Sequence, residues 1–149
     1  MQLAVEKARA GIFDGQTPFG ACIVKDGHVV SCVHNVVWKT CDITAHAEIH
    51  AIRDACRRTG MIDLSGCAIY STCEPCPMCF SAIHWAGIRR IVYGADIEDA
   101  RQAGFRELEI SNLQMKEAGH SLIEIVSGVL KRECVELFGE WKKRKGKSY

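Results

Sequence analysis

The spacing of apolar positions changes along this chain, and each change marks an element. Leu3 to Ala10 reads as a helix, closed by Gly11. Phe19 to Lys25 and Val29 to Val37 read as paired strands, and Asp26-Gly27 between them is a strong hairpin-turn signal. Thr44 to Arg58 has helical spacing, with Thr44 as the expected N-cap and Gly60 beyond its end. Cys67 to Thr72 is rich in strand formers. Pro77 to Ala86 reads as a helix with proline in its first turn. Ile88 to Tyr93 is a further strand, and Ala95 to Ser111 is charged and loop-like. Leu113 to Ala118 reads as a short helix, Leu122 to Val129 as a strand, and Leu130 to Lys145 as a closing amphipathic helix. Helices thus alternate with strands after the hairpin. That order implies an α/β fold with a single mixed sheet of five strands and helices packed on its faces.

Bulk properties narrow the class. The 149 residues fit one domain, 1–149, with a core of useful size. A net charge of +1 gives no global field for nucleic acid or for an acidic partner. The local exception is the basic run Lys142-Lys143-Arg144-Lys145-Gly146-Lys147. No stretch approaches the ~20 apolar residues of a membrane span. The first residues lack a basic stretch followed by an apolar run, so no secretory signal is expected. The nine cysteines are odd in number and irregular in spacing. Cys22, Cys32, Cys56, Cys67 and Cys134 lie in apolar segments, where cysteine behaves as a small hydrophobe. A disulfide framework is therefore not expected, and a reducing cytoplasmic location is.

Two short segments carry the chemistry. Thr44-Ala45-His46-Ala47-Glu48 supplies an imidazole and a carboxylate, and Glu74-Pro75-Cys76-Pro77-Met78-Cys79 supplies a Cys-x-x-Cys pair. His46, Cys76 and Cys79 form a three-ligand set for one zinc ion. A fourth position is left for water or hydroxide, the arrangement of a catalytic rather than a structural site. Both pairs fall at expected helix starts. There, residues three apart share a face and the positive helix end favours thiolate. Glu48 is then free to carry protons beside the metal. A His-x-Glu followed by Pro-Cys-x-x-Cys is the pattern of zinc-dependent base deaminases.

Blander readings exist for each residue. A lone histidine on a helix is usually a satisfied surface or core group, and a lone Cys-x-x-Cys can be redox-active. A closed structural site is the sharper rival, because His50 and Cys73 offer a fourth ligand on paper. It is disfavoured because Cys73 should end a strand, His50 should sit a full turn deeper, and Glu48 would have no role. A zinc-stabilised scaffold without catalysis is the non-enzyme alternative.

The motifs resemble the cytidine deaminase-like zinc hydrolases, from about Phe19 to Glu107. The detail is most similar to the bacterial guanine deaminases, through Pro18-Phe19-Gly20-Ala21, the two zinc segments, Ile83-His84-Trp85-Ala86 and Ala103-Gly104-Phe105. The resemblance implies a three-layer α-β-α sandwich and one zinc ion per chain. It implies the conversion of guanine to xanthine and ammonia, with Glu48 as proton shuttle. Asn35 and the Ala47 N–H would bind the base edge, and Phe19 and Trp85 would line the pocket. Glu107 would assist proton transfer, although the family usually has aspartate there. A homodimer is implied as well. The basic end from about residue 130 to Tyr149 would be a lid or an exchanged element, and the plain reading of that end is a solvated terminus. Transfer-RNA adenosine deaminases share the zinc motif. They typically carry valine where this chain has Pro77, and Ser-Arg-Ile where it has Ala86-Gly87-Ile88. Gly128 to Cys134 resembles the start of their last helix. Nucleic acid is therefore a less expected partner than a small purine, and cytosine, isoguanine or a triazine are further alternatives. No membrane association is implied.

Overall fold

The computed structural model describes residues 1–149. Seven helices and five strands follow one another along the chain. They are α1 (Gln2–Phe13), β1 (Gly20–Lys25), β2 (His28–His34), α2 (Val37–Thr40), α3 (Ala47–Thr59) and β3 (Cys67–Cys73). The order continues with α4 (Pro77–Trp85), β4 (Arg90–Ala95), α5 (Ile97–Ala103), α6 (Asn112–Ala118), β5 (Glu124–Val126) and α7 (Lys131–Lys143).

The strands form one sheet in the order β2-β1-β3-β4-β5. β1 runs antiparallel to β2 and β3, whereas β3, β4 and β5 are parallel, so the sheet is mixed as expected. The hairpin turns at Asp26-Gly27, both with positive φ, which matches the twist of the flanking strands. α1 and α7 pack on one face, and α3 and α4 on the other. Ile23, Ile69 and Ile91 of the central strands are fully buried between these layers, together with Ile83 and Leu137 from the two helical sides. Removing any one of them would cost roughly 2–5 kcal/mol.

Several boundaries differ from the sequence expectation. α1 continues through Gly11 to Phe13. The glycine is there because a Cβ at this position would lie 2.8 Å from the His34 ring on β2. It marks a close helix-to-strand approach rather than a helix end. Thr44 does not cap α3. Its N–H and hydroxyl both donate to Asp42 Oδ1, at 2.8 and 2.6 Å, and His46 takes the N-cap position. The stretch read as loop contains α5, which is fixed by a reciprocal capping box between Asp96 and Asp99. Only Glu124–Val126 of the last expected strand pairs with β4, and Gly128 and Leu130 then turn the chain into α7 through positive φ. Cys22 and Cys32 lie opposite one another in the β1–β2 register and are joined as a disulfide, which corrects the expectation of unpaired cysteines. Their sequence separation hid a register that brings them face to face.

Candidate metal centre and its cavity

Two helix starts meet where β3 ends. His46 is the N-cap of α3 and Cys76 the N-cap of α4, both in extended backbone. Pro77 opens α4 at a position where a missing N–H costs nothing. Cys79 is one turn further along, on the same face and buried. His46 Nδ1 lies 3.7 Å from the sulfur of Cys76 and 3.7 Å from that of Cys79. All three donor atoms lie within 4.8 Å of one another. Tetrahedral zinc with ordinary Zn–N and Zn–S bonds requires a nitrogen–sulfur separation of about 3.6 Å, so the donor set fits the ion. No fourth side chain joins it. His50 Nδ1 pairs with the His34 carbonyl at 3.0 Å, and Cys73 Sγ with the Asp96 carbonyl at 3.5 Å. The closed-site alternative therefore lacks its fourth ligand, and three side chains would hold the ion.

The protonation states favour metal binding. A hydrogen bond from Cys79 lowers the Cys76 thiol to about 4, against the opposing effect of burial, and His46 adds to the lowering. Cys79 is pushed up by the same bond and by burial, and a bound cation would displace its proton. Burial alone would lower the pKa of His46, but the Cys76 sulfur together with Glu48 and Glu107 outweighs that and raises it.

Glu48 is buried in the first turn of α3. Its Oε1 accepts a hydrogen bond from Ser71 Oγ at 2.8 Å, and its Oε2 accepts one from Cys79 Sγ at 3.5 Å. Burial raises its pKa, although the nearby His46 opposes the rise. A carboxyl whose ionisation is opposed in this way holds a proton more readily than an exposed one. Glu107, on the segment between α5 and α6, faces the same space. Burial first and the Cys76 sulfur second lift it to about 7.

An open cavity of about 400 Å3 is lined by His46 and Cys76 together with Ile43, Met78, Glu107 and Leu108. Behind it lies a small inner pocket lined by Phe19, Glu48, Glu107 and Tyr149. The last residues of the chain run across this opening. Trp38 Nε1 donates to the Lys147 carbonyl at 2.9 Å, and Arg144 stacks 3.8 Å above the centre of the Phe13 ring. Gly146 lies against the Trp141 indole so closely that a Cβ would come within 2.0 Å of Nε1. This path delivers Tyr149 to the site, where its hydroxyl accepts a hydrogen bond from Asn35 Nδ2 at 3.1 Å. Asn35 is fully buried, and its Oδ1 accepts from the Val37 N–H at 3.0 Å, which fixes the amide with its donor side toward Tyr149.

The residues named from sequence are therefore mostly brought together. Phe19 lines the inner pocket and also packs edge-on against Phe105, 4.9 Å between ring centres, so it serves both wall and core. Ala47 is buried at the first position of α3, where helix N–H groups have no intrahelical partner. Trp85 is the exception. It is 81 % exposed and lines a separate depression beside Ser81 and Met115. α4 starts at the metal site and runs away from it for nine residues, about 13 Å, which carries Trp85 to the far end. Sequence reasoning gave no role to Ser71, the donor to Glu48, or to Asn112 and the Glu74 carboxylate. A glutamate next to two prolines and a ligand cysteine, after a run of strand formers, was the available signal for Glu74.

Residues 1–95 match the family described as the cytidine and deoxycytidylate deaminase zinc-binding region. Guanine deaminase of Bacillus subtilis is 48 % identical over 69 % of this chain, and the match spans 64 % of that protein, somewhat under two thirds of its length. The tRNA-specific adenosine deaminase of Agrobacterium fabrum is 35 % identical over 97 % of this chain and 93 % of its own. Among solved structures, the guanine deaminase of Nitrosomonas europaea superposes with a TM-score of 0.85 at 28 % identity, over 95 % of this chain and 82 % of that one. With the His/Cys/Cys group at the ends of two helices and the mixed five-stranded sheet behind it, the chain belongs to the cytidine deaminase-like zinc-binding family.

Proposed function

We propose that this protein is a zinc-dependent aminohydrolase that converts guanine to xanthine and ammonia, with His46, Cys76 and Cys79 holding one ion. The observation that carries the reading is the pair of carboxyl groups, buried Glu48 and half-buried Glu107, in one pocket with His46 and Cys76 of the ligand set. When bound, zinc supplies a water acidified from about 15.7 toward ~7. Glu48 would take one proton from the attacking water and pass it to a ring nitrogen as the water oxygen bonds to the amino-bearing carbon. It would then carry the second proton from the new hydroxyl to the amine as the carbon–nitrogen bond breaks, so that water and guanine give xanthine and ammonia. Glu107 assists this transfer from the opposite wall. The Asn35 amide and the Ala47 N–H hold the base edge, and Phe19 bounds the ring.

Support for a free purine comes from the Bacillus relative and from the small inner pocket. A single domain closed by its own tail also suits a small ligand, with the last helix as part of the cover. A second reading, deamination of a transfer-RNA adenosine, is favoured by the Agrobacterium relative, whose match covers 97 % of this chain. Parallel ammonia-release assays of the zinc-loaded protein separate the two. Guanine, adenine, cytosine, cytidine and an anticodon stem-loop are the substrates. Turnover of guanine with little salt dependence is expected. Turnover of the stem-loop that falls steeply with salt would replace the first reading with the second. We infer a homodimer in a cytoplasmic setting. Trp85 at 81 % and Leu122 at 77 % exposure are the apolar groups that a second copy would cover. A monomer at all concentrations in sedimentation would remove that assignment.

A further inference from the structure

We propose that Glu74 is a positioning residue, whose buried carboxylate clamps the segment carrying Glu107 to the loop that carries Cys76. The inference rests on the role given to Glu107 above.

Glu74 follows the last residue of β3 and stands two residues before Cys76. It is buried, borders the inner pocket beside Cys73 and Cys76, and reaches the starts of α5 and α6. Oε1 accepts the Asn112 N–H at 2.7 Å, and Oε2 accepts the Ile97 N–H at 3.3 Å. Asn112 returns the contact, because its fully buried amide donates from Nδ2 to the Pro75 carbonyl at 2.6 Å. Three hydrogen bonds thus join residues 74 and 75 to the two short helices that flank residues 104–111.

That flanked segment has few anchors of its own. It holds Phe105, which packs on Phe19, and then Arg106 to Glu109, which are exposed or half-exposed. Beyond Phe105 its backbone bonds are the Ile110 N–H to the Leu108 carbonyl at 2.8 Å and the Met115 N–H to the Ser111 carbonyl at 3.0 Å, with an exposed Arg101–Glu109 pair at 3.5 Å. Nothing holds the Glu107 carboxyl by a side-chain hydrogen bond, so its place over the pocket is set by the ends of its segment. A charged acceptor serving two backbone donors from different helices is the strongest tie at those ends. One residue, with both carboxylate oxygens engaged by backbone donors, therefore sets the distance between a ligand sulfur and a proton-transfer group.

Glu74→Gln tests this in the zinc-loaded protein, because the amide can replace only one of the two acceptor oxygens. Losing a hydrogen bond to a charged group should lower kcat about tenfold with KM within about twofold. In a Glu107→Gln background the same change should cost under about twofold, since the group being positioned is already gone. Hydrogen exchange of residues 104–112 should speed up while residues 47–59 stay unchanged. Asn112→Ala, which removes only the bond to Pro75, should move all readouts in the same direction by less, and it serves if Glu74→Gln does not fold. Equal losses in both backgrounds, loss of zinc from Glu74→Gln, or unchanged exchange of residues 104–112 would each overturn the proposal. Should no base be turned over by any form, faster exchange confined to residues 104–112 would retain the clamp and fail the catalytic reading instead.

Discussion

Tyr149 accepts a hydrogen bond from Asn35 at 3.1 Å across a sequence separation of 114 residues. The same Asn35 donor is the one assigned to the base. A base that accepts from the same N–H takes over a bond that the protein makes to itself. A neutral hydrogen bond contributes about 1 kcal/mol net. Tyr149→Phe removes the competing acceptor and leaves the ring stacked near His46 and Phe105. We expect KM for guanine to fall by about threefold to tenfold. A rise in KM would mean that the hydroxyl contacts the base directly.

Glu48→Gln should keep the metal and the fold and lose turnover. The amide retains an oxygen for the Ser71 hydroxyl and removes a carboxylate whose ionisation is opposed by burial. Melting temperature should therefore not fall, and zinc content should stay at that of the parent. Ammonia release should drop by at least about 10²-fold. Comparable activity in the variant would end the proton-shuttle assignment.

Glu107 gives the metal-free protein a pH dependence of definite sign. Its folded pKa, about 7, lies above the ordinary 4.5 because the carboxyl is sheltered beside the Cys76 sulfur. Its contribution to stability is complete below pH 4.5 and disappears as pH rises through about 7. Denaturant midpoints of parent and Glu107→Gln, compared between pH 4.5 and 8, should differ by an amount that changes over this window. A constant difference would show that the carboxyl titrates as an exposed acid.

Gly146→Ala should unseat the end of the chain. The added methyl would collide with the Trp141 indole, a buried and rigid neighbour. The segment from Lys145 to Tyr149 would then leave the opening, and trypsin should cut at Lys145 and Lys147 much faster than in the parent. Unchanged cleavage would indicate that the tail moves freely already.

Much of the site could be read locally. The metal donors and Glu48 sit in two segments of five and six residues, each opening at a helix start, so spacing alone orients them. The hairpin and the central strands were legible for the same reason, since turn chemistry and apolar runs are local. α5 was not, because seven residues give barely two helical turns and its capping box uses aspartates that also suit a loop. The placement of Trp85 needed the direction of α4 relative to the metal, which no periodicity contains. Contacts such as Tyr149 with Asn35, or Glu74 with Asn112, exist only once distant segments are packed.

Phe105 stands at the centre of an aromatic group that runs from Phe138 and Trp141 of α7 to Phe19 and Tyr149 at the pocket. One side of this group is interior packing and the other is the wall that a base would meet. Selection for a tighter interior and selection for a different base therefore act on the same rings. Sequence drift at Phe138, a position remote from the metal in the chain, is constrained by specificity as well as by folding. A change of preferred base in this scaffold would demand compensating changes in α7.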